Sequence, residues 1–213
     1  MTARAGRILR GGIIALAFAC PFLAHYALAT GQGLHLVAAI VSAQLLAAAF
    51  ILPRGRGDPL RWLVLAGGAV SFASAFLAAQ PVLVATTGVT HACIHGSLLA
   101  WFASSLRPGR EALVTSLARQ VRGSLEPDVA AYTRNVTRAW CVFFAAQLGG
   151  SALLLAFAPT AIWSWFVNIL DLPLVGLMFL GEYAFRVRRF RHGSPATLAQ
   201  TIKAFRLRAA GEA

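Results

Sequence analysis

The chain has 213 residues, 58% hydrophobic and only 12% charged, with 19 Lys+Arg against 7 Asp+Glu. Soluble domains run at about 45–50% apolar and about 25% charged, so the composition excludes a disordered chain, a disulfide framework and an ordinary soluble domain. Apolar stretches long enough to cross a bilayer predict an all-α, polytopic integral membrane protein, a single transmembrane domain over residues 1–213.

A helix takes about 20 mostly apolar residues to cross the hydrocarbon core. Six segments fit: residues 11–29, 34–52, 62–79, 82–104, 139–158 and 161–185. The Ala79-Gln80-Pro81 connection between the third and fourth predicts a helical hairpin instead of one long helix. The basic start, the apolar run Ile13–Leu23 and the Ala27-Leu28-Ala29 ending resemble a cleaved secretory signal. The apolar run continues nearly to Thr30, which favours an uncleaved first span.

The charges decide the orientation. Arg4, Arg7 and Arg10 precede the first span, and Arg54, Arg56 and Arg61 lie between the second and third. Arg107, Arg110, Arg119, Arg122, Arg134 and Arg138 fill a basic segment, residues 105–138, between the fourth and fifth. The rest, from Arg186 to Arg208, lie in a basic tail, residues 186–213. The connections Thr30–Gly33, Ala79–Pro81 and Pro159–Thr160 carry no Lys or Arg. The positive-inside rule is therefore obeyed throughout, with both termini cytoplasmic in a bacterial inner membrane. That confinement explains the basic excess without a nucleic-acid partner. Membrane lipids are the expected partners, and the oligomeric state is left open.

Two cytoplasmic segments have helical periodicity. Leu113, Leu117 and Val121 recur every fourth residue in 110–122. After Ser194-Pro195, a cap and first-turn pair, Leu198, Ile202 and Phe205 form a second stripe. Both fit amphipathic helices on an anionic membrane surface or helices packed on the cytoplasmic end of the bundle. Small residues four apart, Ala39-Ala43-Ala47 and Gly67-Ser71-Ala75, are expected to let helices approach closely. Trp62, Trp101 and Trp140 at one set of span ends, with Trp163 and Trp165 at the other, form the expected aromatic belt.

Ionisable groups inside hydrocarbon are costly and mark function. Two acidic residues lie within spans, Asp171 and Glu182, both on the sixth. At about 1.5 Å per residue, Asp171, His91 and His95 reach similar depth, roughly 14–20 Å from the periplasmic surface. Asn168 precedes Asp171 by one turn, and Pro173 frees a backbone carbonyl beside it. His91, His95, Asn168 and Asp171 thus compose a candidate intramembrane polar site for a proton relay or a polar head group. The alternative is that Asp171 only fixes helix register by pairing. His91 and His95 are also spaced to chelate a metal, but metal sites take three or four ligands and no second such pair follows. No metal or cofactor is assigned. Glu182 stands four residues before Arg186, the favourable order for a helical ion pair. Phosphate-binding loops, nucleophile elbows and acidic clusters for Mg²⁺ are missing, so no catalytic residue is assigned. The three cysteines, Cys20, Cys93 and Cys141, lie in apolar stretches without metal-type spacing.

The second half carries an ordered set of short motifs. Ser105-Leu106-Arg107-Pro108-Gly109-Arg110-Glu111 is followed by Tyr132-Thr133-Arg134-Asn135-Val136-Thr137-Arg138-Ala139-Trp140 and Phe143-Phe144. Trp163-Ser164-Trp165-Phe166-Val167-Asn168, Pro173-Leu174 and Glu182-Tyr183 with Arg186 complete it. Over about residues 80–191 this resembles a family of small, uncharacterised bacterial inner-membrane proteins encoded beside acyl carrier proteins, ketosynthases and dehydratases in aryl-polyene (xanthomonadin-type) pigment clusters. A ketosynthase label borne by some members does not fit here, since no Cys-His-His site is present. The resemblance implies an accessory role in aryl-polyene or fatty-acyl lipid assembly, anchoring acyl-carrier machinery or handing a lipid product to the membrane. It also gives the arginines a candidate partner. Acyl carrier proteins are acidic, and Arg107, Arg110, Arg134, Arg138 and Arg186 would dock one, or a phosphate, by complementary charge. The rival functions are a proton-coupled lipid or small-solute transporter, and a membrane acyl- or glycosyl-transferase.

Overall fold

The computed structural model describes residues 18–51 and 59–190, apart from the side chains of 45–51, 59–64 and 122. The predicted tail helix after Pro195, the arginines before the first span, and Arg54 and Arg56 lie outside the described residues. Among the described residues the protein is all-helical, without a strand. In chain order the elements are α1 (described over Phe18–Thr30), α2 (Leu34–Ile51), α3 (Pro59–Ser74), α4 (Ala79–Ser105), α5 (Leu113–Arg122), α6 (Pro127–Phe157), α7 (Thr160–Trp165) and α8 (Asp171–Arg189). A single π-helical turn, Phe166–Leu170, joins α7 to α8.

Three of these helical stretches are long and apolar enough to cross a membrane: Ala79–Ser105, Pro127–Phe157 and the continuous Thr160–Arg189. They correspond to the predicted fourth, fifth and sixth spans. The other three predicted spans correspond, among the described residues, to shorter apolar helices, Phe18–Thr30, Leu34–Gln44 and Leu65–Ser74. Residues 11–17 of the predicted first span lie outside the described residues. The third ends early for a local reason. Proline is tolerated in the first turn of a helix, where its missing N–H is not required, so Pro81 sits inside α4 and the break falls upstream at Ala75–Leu77. The connection is therefore not at Ala79-Gln80-Pro81. With 16 residues, α3 spans about 24 Å at helical rise, short of the roughly 30 Å hydrocarbon core. His35 Nδ1 donates to the Ala75 carbonyl across 2.8 Å, satisfying backbone freed by that break.

The connection Thr30–Gly33 is where the sequence places it. Gly31 takes φ +73° and its N–H reaches the Ala27 carbonyl, the left-handed stop that ends α1.

The chain folds as two compact units, one comprising residues through Ala92 with Gly150–Pro173, the other Cys93–Gly149 with Leu174 onward. The core of unit one is built from small residues around one large ring. Ala24, Ala27, Val37, Ala38, Ala75 and Leu83 surround Trp163, which is 0% exposed. Small side chains let helix backbones approach closely. Gly88 is part of that fit, since a Cβ there would lie 3.3 Å from Trp163 Cζ2.

Unit two has an aromatic core. Tyr132, Val136, Trp140 and Phe144, four residues apart on α6, form one buried stripe. Phe102 of α4 meets Phe144 edge-on at 5.4 Å, and Phe179 of α8 lies 4.7 Å from Trp140. Trp140 and Trp163 are therefore core residues and not part of an interfacial belt, whereas Trp101 and Trp165 are exposed.

The helix predicted in 110–122 forms as α5, but its inner face differs from the predicted stripe. Thr115 is buried with its hydroxyl 2.8 Å from that of Thr133, and the Val114 N–H donates to Thr137 Oγ1. Leu117, at the centre of the apolar stripe, is exposed. Two threonine hydroxyls of α6 thus set the docked face of α5 and leave Leu117 exposed.

Candidate functional site

Of the polar groups predicted within the spans, His91, Asn168 and Asp171 belong to unit one and His95 to unit two. In unit one, the His91 ring on α4, 5% exposed, places Nε2 3.8 Å from Asp171 Oδ1 at the start of α8. That separation exceeds a hydrogen bond and falls within ion-pair reach. The Phe166 ring lies 6.5 Å from the imidazole on another side. Phe166 itself rests on Gly150, where an added Cβ would come within 3.3 Å of the ring.

Asp171 follows the π-helical turn directly. Proline at 173 has no N–H for the Ile169 carbonyl, and its ring crowds that carbonyl. The wider turn at Phe166–Leu170 accommodates both. Such insertions recur at functional positions. Here the turn changes the register along the helix, so residues three apart no longer share a face as in a regular α-helix. Asn168, predicted to accompany Asp171, points its amide at Ser164 instead, donating from Nδ2 to the carbonyl and to Oγ, each at 3.1 Å. Ser164 Oγ is also hydrogen-bonded to His25 Nδ1 at 3.3 Å. The result is a polar line His25–Ser164–Asn168. Ser164 is fully buried. Neither Ser164 nor His25 stood out in the sequence, because serine is common in membrane helices as packing and His25 is near a predicted span end. The pair of a buried-side histidine with a serine one turn before Asn168 was the available signal.

Thr86 and Thr90 of α4 are satisfied within their own helix. Thr86 donates to the Val82 carbonyl and Thr90 to that of Thr86, the back-bonding open to hydroxyls within a helix. The Trp163 indole N–H donates to Ser151 Oγ at 3.1 Å.

His95 belongs to unit two, where its ring packs at 5.9 Å against Phe144, edge to face. The same unit holds the predicted arginines. Arg134 Nη2 donates to the Leu106 carbonyl at 3.0 Å, tying the end of α4 to α6. The Leu113 N–H donates to Ser105 Oγ. The Tyr132 hydroxyl donates to Glu182 Oε1 at 3.0 Å, and Arg186 Nε lies 3.5 Å from the same oxygen. These contacts hold the C-terminal end of α4, the N-terminal end of α6 and the C-terminal end of α8 together. Arg107, Arg110, Arg138, Arg188 and Arg189 stand exposed at that common end. Arg138 donates to Asn135 Oδ1 at 2.8 Å, and Arg119 is engaged by Glu111 at 2.8 Å. Chemically this end presents anion-binding guanidinium groups, while the interior of unit one presents a carboxylate and imidazoles able to hold and pass a proton.

Comparison with family models, with curated proteins and with solved structures finds no match.

Proposed function

We propose that the chain is a six-span protein of a bacterial inner membrane, with both termini cytoplasmic, that serves fatty-acyl or aryl-polyene lipid assembly by holding acyl-carrier machinery at the membrane or handing a lipid product to it. The observation that supports this best is the gathering of exposed arginines at one end of unit two, together with the motif resemblance over about residues 80–191. An acidic carrier protein would be recognised there by complementary charge, which steers encounter and falls with salt.

Arg134 is a poor probe of docking, because its guanidinium already holds the Leu106 carbonyl. Arg107, Arg110 and Arg138 are exposed. The Arg107→Ala/Arg110→Ala/Arg138→Ala triple variant is expected to weaken capture of a purified acyl carrier protein by about tenfold or more at low salt. Capture equal to wild type defeats docking. The topology has its own check. An alkaline phosphatase reporter fused at Pro159 is expected to be active and one at Arg110 inactive, and the reverse pattern removes the proposal at its base.

A second function is favoured by the His91–Asp171 pair. A carboxylate facing a buried imidazole inside apolar helices suits proton-coupled movement of a lipid or small solute. Its test is the response of proton flux to Asp171→Asn.

A further inference from the structure

Between α6 and α8, within unit two, lies a cleft of about 410 Å³ that no described side chain fills. This volume falls in the roughly 300–1,000 Å³ range of small-molecule sites. Its walls are Tyr132, Val136, Met178, Glu182, Phe185 and Arg189. Small residues on both helices, Ala131, Ala139 and Gly181, leave the space open. A Cβ placed on Gly181 meets nothing within 4 Å.

The cleft is graded along its length. The Tyr132–Glu182 hydrogen bond fixes the antiparallel register of the two helices. Arg189 consequently lies at the outer, arginine-rich end, while Met178 and Ala139 lie roughly 16–21 Å further along at helical rise. The inner part is apolar. At the outer part, the Glu182 carboxylate is already matched by Arg186 and by the Tyr132 hydroxyl. Arg189, stacked on Phe190, then gives the mouth a guanidinium group. Tyr132 is kept rigid by stacking on Phe185 at 6.0 Å and an edge contact with Phe190 at 5.3 Å. An apolar trough ending in a guanidinium group, between two helices of membrane-spanning length, matches a molecule with a hydrocarbon chain and an anionic head. Basic pockets between such helices take lipid head groups, and the bilayer supplies that molecule at the right depth.

We propose that the cleft between α6 and α8 is a specific site for one anionic phospholipid, with an acyl chain along Val136, Ala139 and Met178 and the phosphate against Arg189. The site requires that the protein reside in a membrane and is independent of carrier-protein docking.

The test is native mass spectrometry of the purified full chain in detergent, titrated with phosphatidylglycerol or phosphatidylcholine. One equivalent of phosphatidylglycerol is expected to bind at least tenfold more tightly than phosphatidylcholine. Gly181→Leu, which fills the trough without altering charge, is expected to weaken phosphatidylglycerol binding at least tenfold, and Arg189→Gln about tenfold. Helical circular dichroism confirms that each variant is folded, and Arg189→Gln keeps the test decisive should Gly181→Leu fail to fold. Equal binding of the two lipids overturns the proposal. So does unchanged binding in both variants, or displacement of phosphatidylglycerol by equimolar dodecanoate, which would make a free fatty acid the occupant. Neither variant touches Arg107 or Arg110, so lipid binding and carrier capture fail separately.

Discussion

Trp163→Ala should destabilise unit one by about 3–5 kcal/mol, the usual cost of truncating a large buried aromatic. The indole is fully buried among alanines and Leu83, and its N–H is satisfied by Ser151. In a bilayer the loss comes chiefly from packing contacts, since lipid is as apolar as the core and the ring's dispersion partners are the neighbouring helices. Trp163→Phe keeps part of the ring and forfeits the hydrogen bond, for an added cost of about 1 kcal/mol. Unfolding by sodium dodecyl sulfate in mixed micelles, followed by far-ultraviolet circular dichroism, measures both. Gly88 supplies an internal control. A larger side chain there would press on Trp163, so Gly88→Leu should cost less in a Trp163→Ala background than in the wild type. Additive effects of the two changes would show that the ring and the glycine are not fitted to each other.

Asp171→Asn should leave stability nearly intact yet lower proton flux by about 100-fold or more, the scale of losing a positioned acid or base. The asymmetry follows from the geometry. The Asp171 side chain is 28% exposed and 3.8 Å from His91 Nε2, and partly exposed pairs of that kind contribute about 0–1 kcal/mol. Proton transfer, in contrast, depends on a group able to give up and regain charge at that depth, which asparagine cannot do. His91→Gln should match the loss. Ser164→Ala, which breaks the line between His25 and Asn168, should have an intermediate effect. Dissipation of an imposed pH gradient by proteoliposomes, read with an entrapped pH-sensitive dye, reports all three. Flux in Asp171→Asn equal to wild type would remove the proton-coupled function and leave the pair as a register device.

The three longest helices were legible because lipid leaves backbone polar groups no partner except their own helix. A continuous apolar run of about 20 residues therefore has one secondary structure available. Breaks inside apolar sequence were less visible. Ala75–Leu77 has no glycine or proline, and the turn depends on where Pro81 can be seated and on His35 reaching the freed Ala75 carbonyl from α2. The π-helical turn before Asp171 was only half legible. Pro173 signalled a disturbed backbone, but not that Asn168 would rotate toward Ser164. The same limit applies to α5. Periodicity located the helix correctly, whereas its docked face was chosen by Thr133 and Thr137 on a helix many residues away. Trp140 and Trp163 could not be told from belt residues by their position near span ends, because burial of an amphipathic ring depends on small partners opposite it.

Composition and order of residues alone determined the helical class and the segregation of arginine from the apolar runs, since both express a one-dimensional cost of placing polar groups in hydrocarbon. Only the tertiary structure decided which polar groups meet: His91 with Asp171, His25 and Asn168 through Ser164, Tyr132 with Glu182. Those pairings depend on helix rotation and register. A change of about 100° per residue moves a side chain from a neighbour to the lipid, and hydropathy is blind to the difference.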